Sequence, residues 1–221
     1  MALLEVRSLA KRYAQTAVFE GVDLDVERGE FVAILGESGV GKSTLLNCIA
    51  GLDSIDAGSI AVDGVRVDTL PEPGQALLRR NQLGFVFQAF HVLPHLDVAH
   101  NVGLPLLLQG RREPARVATA LAAVGLEALG ARLPQTLSGG QLQRVAIARA
   151  MVHAPKLILA DEPTGNLDPG TAERVMDVFA AQVREHGAAC VLVTHSRAAA
   201  ARADRVLTLT ANGMHEVPRA C

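Results

Sequence analysis

The chain has 221 residues, 49% hydrophobic and 20% charged, with a formal net charge of -2 and Lys and Arg scattered along it. That length buries a sizeable core in one globular unit with an inserted subdomain, and the charge balance lacks the basic stripe of a nucleic-acid binder, so no nucleic-acid partner is expected. Val102 to Leu108 is a short apolar run carrying Pro105, and the N-terminus has no basic region ahead of an apolar segment, so neither a membrane span nor a secretion signal is expected.

Residues 3 to 8 and 22 to 27 alternate apolar and polar, and Ile60 to Val62 and Val65 to Val67 flank the turn pair Asp63-Gly64; together they predict a small antiparallel sheet. Between the first two lies Lys11-Arg12-Tyr13, with the chain's one tyrosine. Tyr13 is either an exposed ring on which a base stacks or an ordinary packed strand-end aromatic. Phe31 to Leu35 is a continuous apolar run, a buried strand, and Lys42 to Ala50 reads as a helix.

Between that strand and helix stands Gly36-Glu37-Ser38-Gly39-Val40-Gly41-Lys42-Ser43-Thr44, which fits the G-x-x-x-x-G-K-[ST] phosphate-binding pattern in full. Glycines let backbone amides curl around phosphate oxygens, Lys42 brings a mobile point charge, and the Ser43 hydroxyl suits Mg²⁺. Phosphate would meet a helix N-terminus.

A polar helix is expected after Pro71 to Gly74, then a short strand from Gly84 ending at Gln88. Residues 89–154 are rich in Leu and Ala, punctuated by Pro94, Pro105, Pro114 and Pro134, and are taken as a helical subdomain inserted into an α/β core formed by 1–88 and 155–221. His91, His95 and His100 are not expected to bind metal, because no Cys or Glu cluster joins them. Cys48, Cys190 and Cys221 lie far apart, and reduced thiols without a disulfide or Zn site are expected. Ser138 and Gln141 have capping-box spacing around Gly139 and Gly140. Adjacent glycines disfavour a helix, so they serve either the cap alone or the approach of a ligand to the backbone.

Leu157 to Ala160 is a buried-strand run ending in Asp161-Glu162, Cys190 to Thr194 another ending in His195, and Val206 to Leu209 a last one before Asn212-Gly213. Helices over 171–186 and 197–203 alternate with them, so the sheet should be largely parallel. In such a sheet the carboxyl ends of strands form the ligand crevice, where the loop at 36–44, Gln88, Asp161, Glu162 and His195 can share one site. Asp161 is placed to hold Mg²⁺, Glu162 to act as general base on water, His195 to bond phosphate or water, and Gln88 to reach the metal or water. Asp168-Pro169 is a good helix start whether or not it has a second role.

Taken together these stretches resemble the ATP-binding subunit of an ABC transporter. Tyr13 matches the base-stacking position, 36–44 the phosphate loop, Gln88 the Q-loop, Leu137 to Gln141 the signature, Leu157 to Glu162 the Walker B strand, Asn166-Leu167-Asp168 the D-loop and His195 the switch histidine. The wording Gly84-Phe-Val-Phe-Gln-Ala-Phe-His-Val-Leu-Pro and Pro163-Thr-Gly-Asn-Leu-Asp is similar to the lipoprotein-releasing and macrolide-exporter group, with departures at His100, Leu142 and Ser196. The resemblance implies a P-loop NTPase (RecA-like) core with a small antiparallel β subdomain. It also implies a Mg²⁺-dependent ATPase whose two copies sandwich two ATP, the Ser138-Gly139-Gly140-Gln141 signature and Asp168 of one copy completing the site of the other. The dimer would drive a membrane permease from the cytoplasmic face, or gate a periplasmic activity through a membrane partner. Residues 89–108, with Phe90, Val92, Leu93 and Leu96, would receive the permease.

Overall fold

The computed structural model describes residues 2–14, 16–211 and 213–217. The chain falls into two units, Met1–Arg79 with Ala189–Cys221, and Arg80–Ala188. The sequence expectations for Asn212 and Cys221 lie outside the described residues.

In the first unit the alternating segments become β1 (Leu4–Tyr13) and β2 (Thr16–Val26), an antiparallel pair. Their inward residues Leu4, Val6, Leu9, Phe19, Val22 and Val26 are fully buried, as period-two pleating requires of a sheet with one face on a core. The register of β1 slips between Val6 and Arg12, and bulges of this kind re-aim the end of a strand. After β3 (Phe31–Leu35) and α1 (Lys42–Ile49), β4 (Ala57–Val62) and β5 (Val65–Arg66) complete a sheet of order β2-β1-β4-β5. Asp63 and Gly64 both have positive φ, 51° and 77°, the backbone that a two-residue hairpin loop demands. The chain leaves the unit within α2 (Glu72–Gln82).

The second unit opens with β6 (Leu83–Val86) and continues through α3 (Val98–Leu108), α4 (Pro114–Ala123), α5 (Gly139–Met151), β7 (Leu157–Asp161) and α6 (Pro169–His186). β6 and β7 pair in parallel, and α5 packs against α3, α4, α6 and β6. Pro114 opens α4 at its first position, where the missing N–H costs nothing. Pro105, read from sequence as punctuation, instead lies inside α3. The helix runs through it because Val98, Val102 and Leu106 are buried on the packed side, and that burial outweighs one lost backbone bond. Asn101, wholly buried, accepts from Leu93 N (2.7 Å) and donates to the carbonyls of Leu93, Leu96 and Asp97 (2.9 to 3.0 Å). One amide thus supplies partners that an irregular segment could not find in itself.

Back in the first unit, β8 (Ala189–Val193), α7 (Arg197–Ala200), β9 (Arg205–Thr210) and β10 (Gly213–Glu216) follow. β3 pairs in parallel with β8 on one side and β9 on the other, and β10 runs antiparallel to β9. Phe31 to Ile34 are at most 1% exposed, the continuous apolar run that an interior parallel strand shows. The fold is α/β, with parallel strands beside an antiparallel sheet.

Candidate functional site

The carboxyl end of β3 delivers the chain into residues 36–44. Gly39 and Gly41 have φ of 83° and 102°, conformations that other residues seldom adopt. A Cβ on Gly41 would lie 2.4 Å from Val18 Cγ1, so the turn into α1 admits no side chain. The ammonium of Lys42 donates to the carbonyls of Gly36 and Glu37, both at 2.9 Å, and the residue is buried. Glu37, Ser38, Gly39 and Ser43 are exposed. No side chain caps α1 and its first turn holds no acidic residue, so its leading amides and the positive end of its dipole stay available to an anion. This cradle fits a polyphosphate, and the exposed Ser43 hydroxyl beside it fits a hard cation that takes oxygen ligands.

Tyr13 ends β1 with 51% of its surface exposed. Its hydroxyl donates to Asp53, while Lys11 donates to Asp53 Oδ1 and to the Ser54 carbonyl, both at 2.7 Å, with Nζ 4.8 Å from the Tyr13 ring centroid. Burial pushes the Asp53 carboxyl up, but the bonds from Lys11 and Tyr13 outweigh it and hold Asp53 below the usual carboxylate range. The bond to Asp53 raises the Tyr13 phenol above its ordinary value.

His195 follows β8 and is exposed. Just past it, Ser196 N donates to Thr194 Oγ1 (3.0 Å), and Ser196 Oγ caps α7 by accepting from Ala199 N (3.2 Å). The departure at Ser196 is therefore a helix cap.

In the second unit β7 ends at Asp161, and Glu162 turns out of the strand with φ of 44°. A non-glycine residue held in the left-handed region is strained, and such strain gathers at functional sites. The loop beyond closes through Gly165 N to Glu162 O (3.0 Å) and meets Gln88: Gln88 Nε2 donates to Asn166 Oδ1 (3.2 Å) and Asn166 Nδ2 to the Gln88 carbonyl (3.0 Å). Ser138 and Gln141 form the predicted capping box at the start of α5, with Ser138 N to Gln141 Oε1 at 2.9 Å and Gln141 N to Ser138 Oγ at 3.3 Å. Asp168 caps α6 through Thr171 N (3.0 Å), a bond that keeps its carboxyl below its ordinary value. The two helix starts adjoin, since a Cβ on Gly140 would fall 2.5 Å from Thr171 Cγ2. A cleft of about 330 Å³ between them is lined by Ser138, Gly140, Gln141, Arg144, Thr171 and Arg174; two helix N-termini and two guanidiniums suit an anion.

The second unit thus brings Gln88 to the loop after Glu162 and the signature to Asp168. In the first unit Tyr13 is tied to the chain leaving the phosphate-loop helix. His91 packs edge-on against Phe87 (4.8 Å between ring centroids), and His100 Nδ1 bonds Asp97 Oδ1 (2.7 Å) at the start of α3. Among the described residues no three His, Cys, Asp or Glu gather as a metal cluster. Sequence reasoning missed the roles of Lys11, Asp53 and Arg149. The guanidinium of Arg149 donates to the carbonyls of Phe90 (2.9 Å) and His91 (2.7 Å) and holds the segment after Gln88. Lys11 was legible as the residue two before Tyr13 on one strand face; nothing local singles out the other two.

Residues 19–165 match the family described as ABC transporter. The lipoprotein-releasing system ATP-binding protein LolD of Roseobacter denitrificans is 42% identical, covering 97% of this chain and 98% of its own length. The LolD protein of Xanthomonas oryzae pv. oryzae is 44% identical over 98% of this chain and 91% of its own. Among solved structures, a dimeric ATP-binding cassette in a post-hydrolysis state bound to ADP and Pi superposes with a TM-score of 0.88 at 35% identity, covering 99% of each chain.

Proposed function

We propose the following function for this chain, which belongs to the ABC transporter family: it is the ATP-binding and ATP-hydrolysing subunit of a lipoprotein-releasing ABC system, working as a homodimer with a membrane permease. The observation that carries this reading is the glycine cradle at 36–44, with Lys42 inside it and an uncapped helix behind it.

ATP lies with its phosphates along 36–44 and its base on Tyr13. Lys42 exchanges loop carbonyls for phosphate oxygens, which is where a buried ammonium gains most from a charged partner. Glu162 takes the proton of the attacking water and His195 bonds the water or the γ-phosphate. Ser43, Asp161 and Gln88 are the residues that would hold Mg²⁺, which would supply charge neutralisation to the phosphates. Ser138 to Gln141 and Asp168 of one copy face the nucleotide of the other, so the dimer closes on ATP and opens after hydrolysis, a two-state switch biased by the nucleotide.

Among the described residues no helix is long and apolar enough to cross a membrane. In this reading the chain meets the membrane through its permease, as a peripheral subunit on the cytoplasmic face. Exposed Leu93, in the segment fastened by Asn101 and Arg149, supports residues 89–108 as the docking site.

Glu162→Gln is the test. Phosphate release is expected to fall by roughly 10² to 10⁴ while ATP remains bound in a stable dimer seen by light scattering; undiminished release would take the base role from Glu162.

A further inference from the structure

Lys11 and Tyr13 stand two residues apart on β1, so pleating puts both side chains on one face. The Lys11 ammonium covers one face of the ring at 4.8 Å, within cation–π reach. It is only 4% exposed, and an ammonium is buried at such depth only when partnered. Its partners are Asp53 Oδ1 and the Ser54 carbonyl, and Asp53 Oδ2 accepts from the Tyr13 hydroxyl. Lysine to carboxylate, carboxylate to phenol and lysine to ring close a triangle about a side chain that would otherwise swing at a strand end. The backbone is pinned as well: Arg12 N donates to Asp56 Oδ2 (2.7 Å) and Asp56 N to the Ala10 carbonyl (3.0 Å).

Asp53 is itself fixed to α1. Leu52 N and Asp53 N both donate to the Asn47 carbonyl, at 2.8 and 3.3 Å. α1 begins at Lys42, and the Tyr13 side chain also lies within hydrogen-bond reach of Thr44 in its first turn, so the ring is fixed to the two ends of the helix behind the phosphate cradle. With one ring face taken by the ammonium, the other is the face a base can meet.

We propose that Lys11 and Asp53 are positioning residues that clamp the Tyr13 ring at a set distance from the phosphate loop, making the site prefer a triphosphate that carries a base over bare polyphosphate. This rests on the reading of Tyr13 as the stacking ring.

Affinity for ATP and for inorganic tripolyphosphate is measured on the intact chain, wild type and the variants Tyr13→Ala, Lys11→Met and Asp53→Asn. Stacking is worth about 5- to 150-fold in affinity, so Tyr13→Ala should weaken ATP within that range. Lys11→Met and Asp53→Asn should weaken ATP about 5- to 20-fold and leave tripolyphosphate within about twofold. Asp53→Asn keeps the side-chain volume but removes the charge that pairs with Lys11 and one of the two acceptor oxygens, and it serves if Lys11→Met does not fold. The chain's one tyrosine makes the phenolate absorbance specific to Tyr13; its titration should move back toward an ordinary phenol in Asp53→Asn. Equal losses for both ligands would mean that the pair merely supports the loop, and would overturn the proposal. So would unchanged ATP affinity in both variants while Tyr13→Ala weakens it. If Tyr13→Ala leaves ATP affinity unchanged, the stacking reading fails and the proposal with it.

Discussion

Gln88 and Asn166, 78 positions apart, hold each other by two hydrogen bonds: the Gln88 amide donates to the Asn166 side-chain oxygen, and the Asn166 amide to the Gln88 carbonyl. Gly165 leaves room for the pair, since a Cβ there would lie 2.9 Å from Gln88 Nε2. The side chain that follows β6 is thereby tied to the loop that follows Glu162.

Asn166→Ala should separate position from stability. Both bonds lie in exposed surroundings, so the unfolding free energy should change by less than about 1 kcal/mol. Steady-state kcat should fall about 5- to 50-fold, with ATP affinity within about twofold, because a misplaced group costs rate before binding. An unchanged kcat would show that Gln88 needs no such tether.

At Ser138 two effects can be parted. Ser138→Ala removes the cap of α5 and should cost about 1 kcal/mol on denaturant unfolding while the ATP-dependent dimer still forms. Ser138→Arg adds a large cation at the exposed helix start and should abolish the dimer yet spare nucleotide binding by the monomer. ATP-driven dimerisation of Ser138→Arg, read by light scattering, would contradict a nucleotide site shared between two copies.

Gly140 tests how closely α5 and α6 approach. Alanine there should gain up to about 1 kcal/mol of helix propensity but lose about 1 to 3 kcal/mol to the clash with the Thr171 methyl. Gly140→Ala should therefore be destabilised, and adding Thr171→Ser, which removes that methyl, should restore it in a double-mutant cycle. Two purely additive changes would mean that the helices part freely.

His153 should give the fold a pH dependence. It is buried, bonded through Nε2 to the Leu83 carbonyl (2.9 Å), and its Nδ1 finds no partner. Burial pushes its pKa down, with Arg116 and Arg111 adding to the effect against the Leu83 bond. The unfolded chain then binds the proton more readily, so the contribution is complete above about pH 6.5 and is lost as pH falls below it, by at most about 1.4 kcal/mol per pH unit. Unfolding of wild type and His153→Phe compared between about pH 7.5 and about pH 5.5 checks this, and equal slopes would refute it.

Thiol reagents should find Cys48 and Cys190 protected in the native state. Both are buried, and burial raises the Cys48 thiol to about 12 and Cys190 well above its ordinary value, leaving almost no thiolate near neutrality. In a Cys221→Ser variant, labelling should follow unfolding; fast labelling of the folded chain would show that one of these sites opens locally.

From the residue order alone one can read the glycine-rich turn at 36–44 between a strand and a helix, the Asp63-Gly64 hairpin turn, the Ser138 capping box, the Asp168 cap, and the strands ending at Asp161 and before His195. Each is set by backbone torsions and hydrogen bonds within a few residues, so its information is local. What tertiary structure alone decided lies at long separation: Lys11 with Asp53, 42 positions apart, Gln88 with Asn166, 78 apart, and Arg149 with the carbonyls of Phe90 and His91. These partners meet only after strands pair and helices pack, and a lysine, an asparagine or an arginine in the sequence does not announce which distant group will satisfy it. Pro105 failed as a boundary for the same reason, because burial on α3 outweighed a local preference.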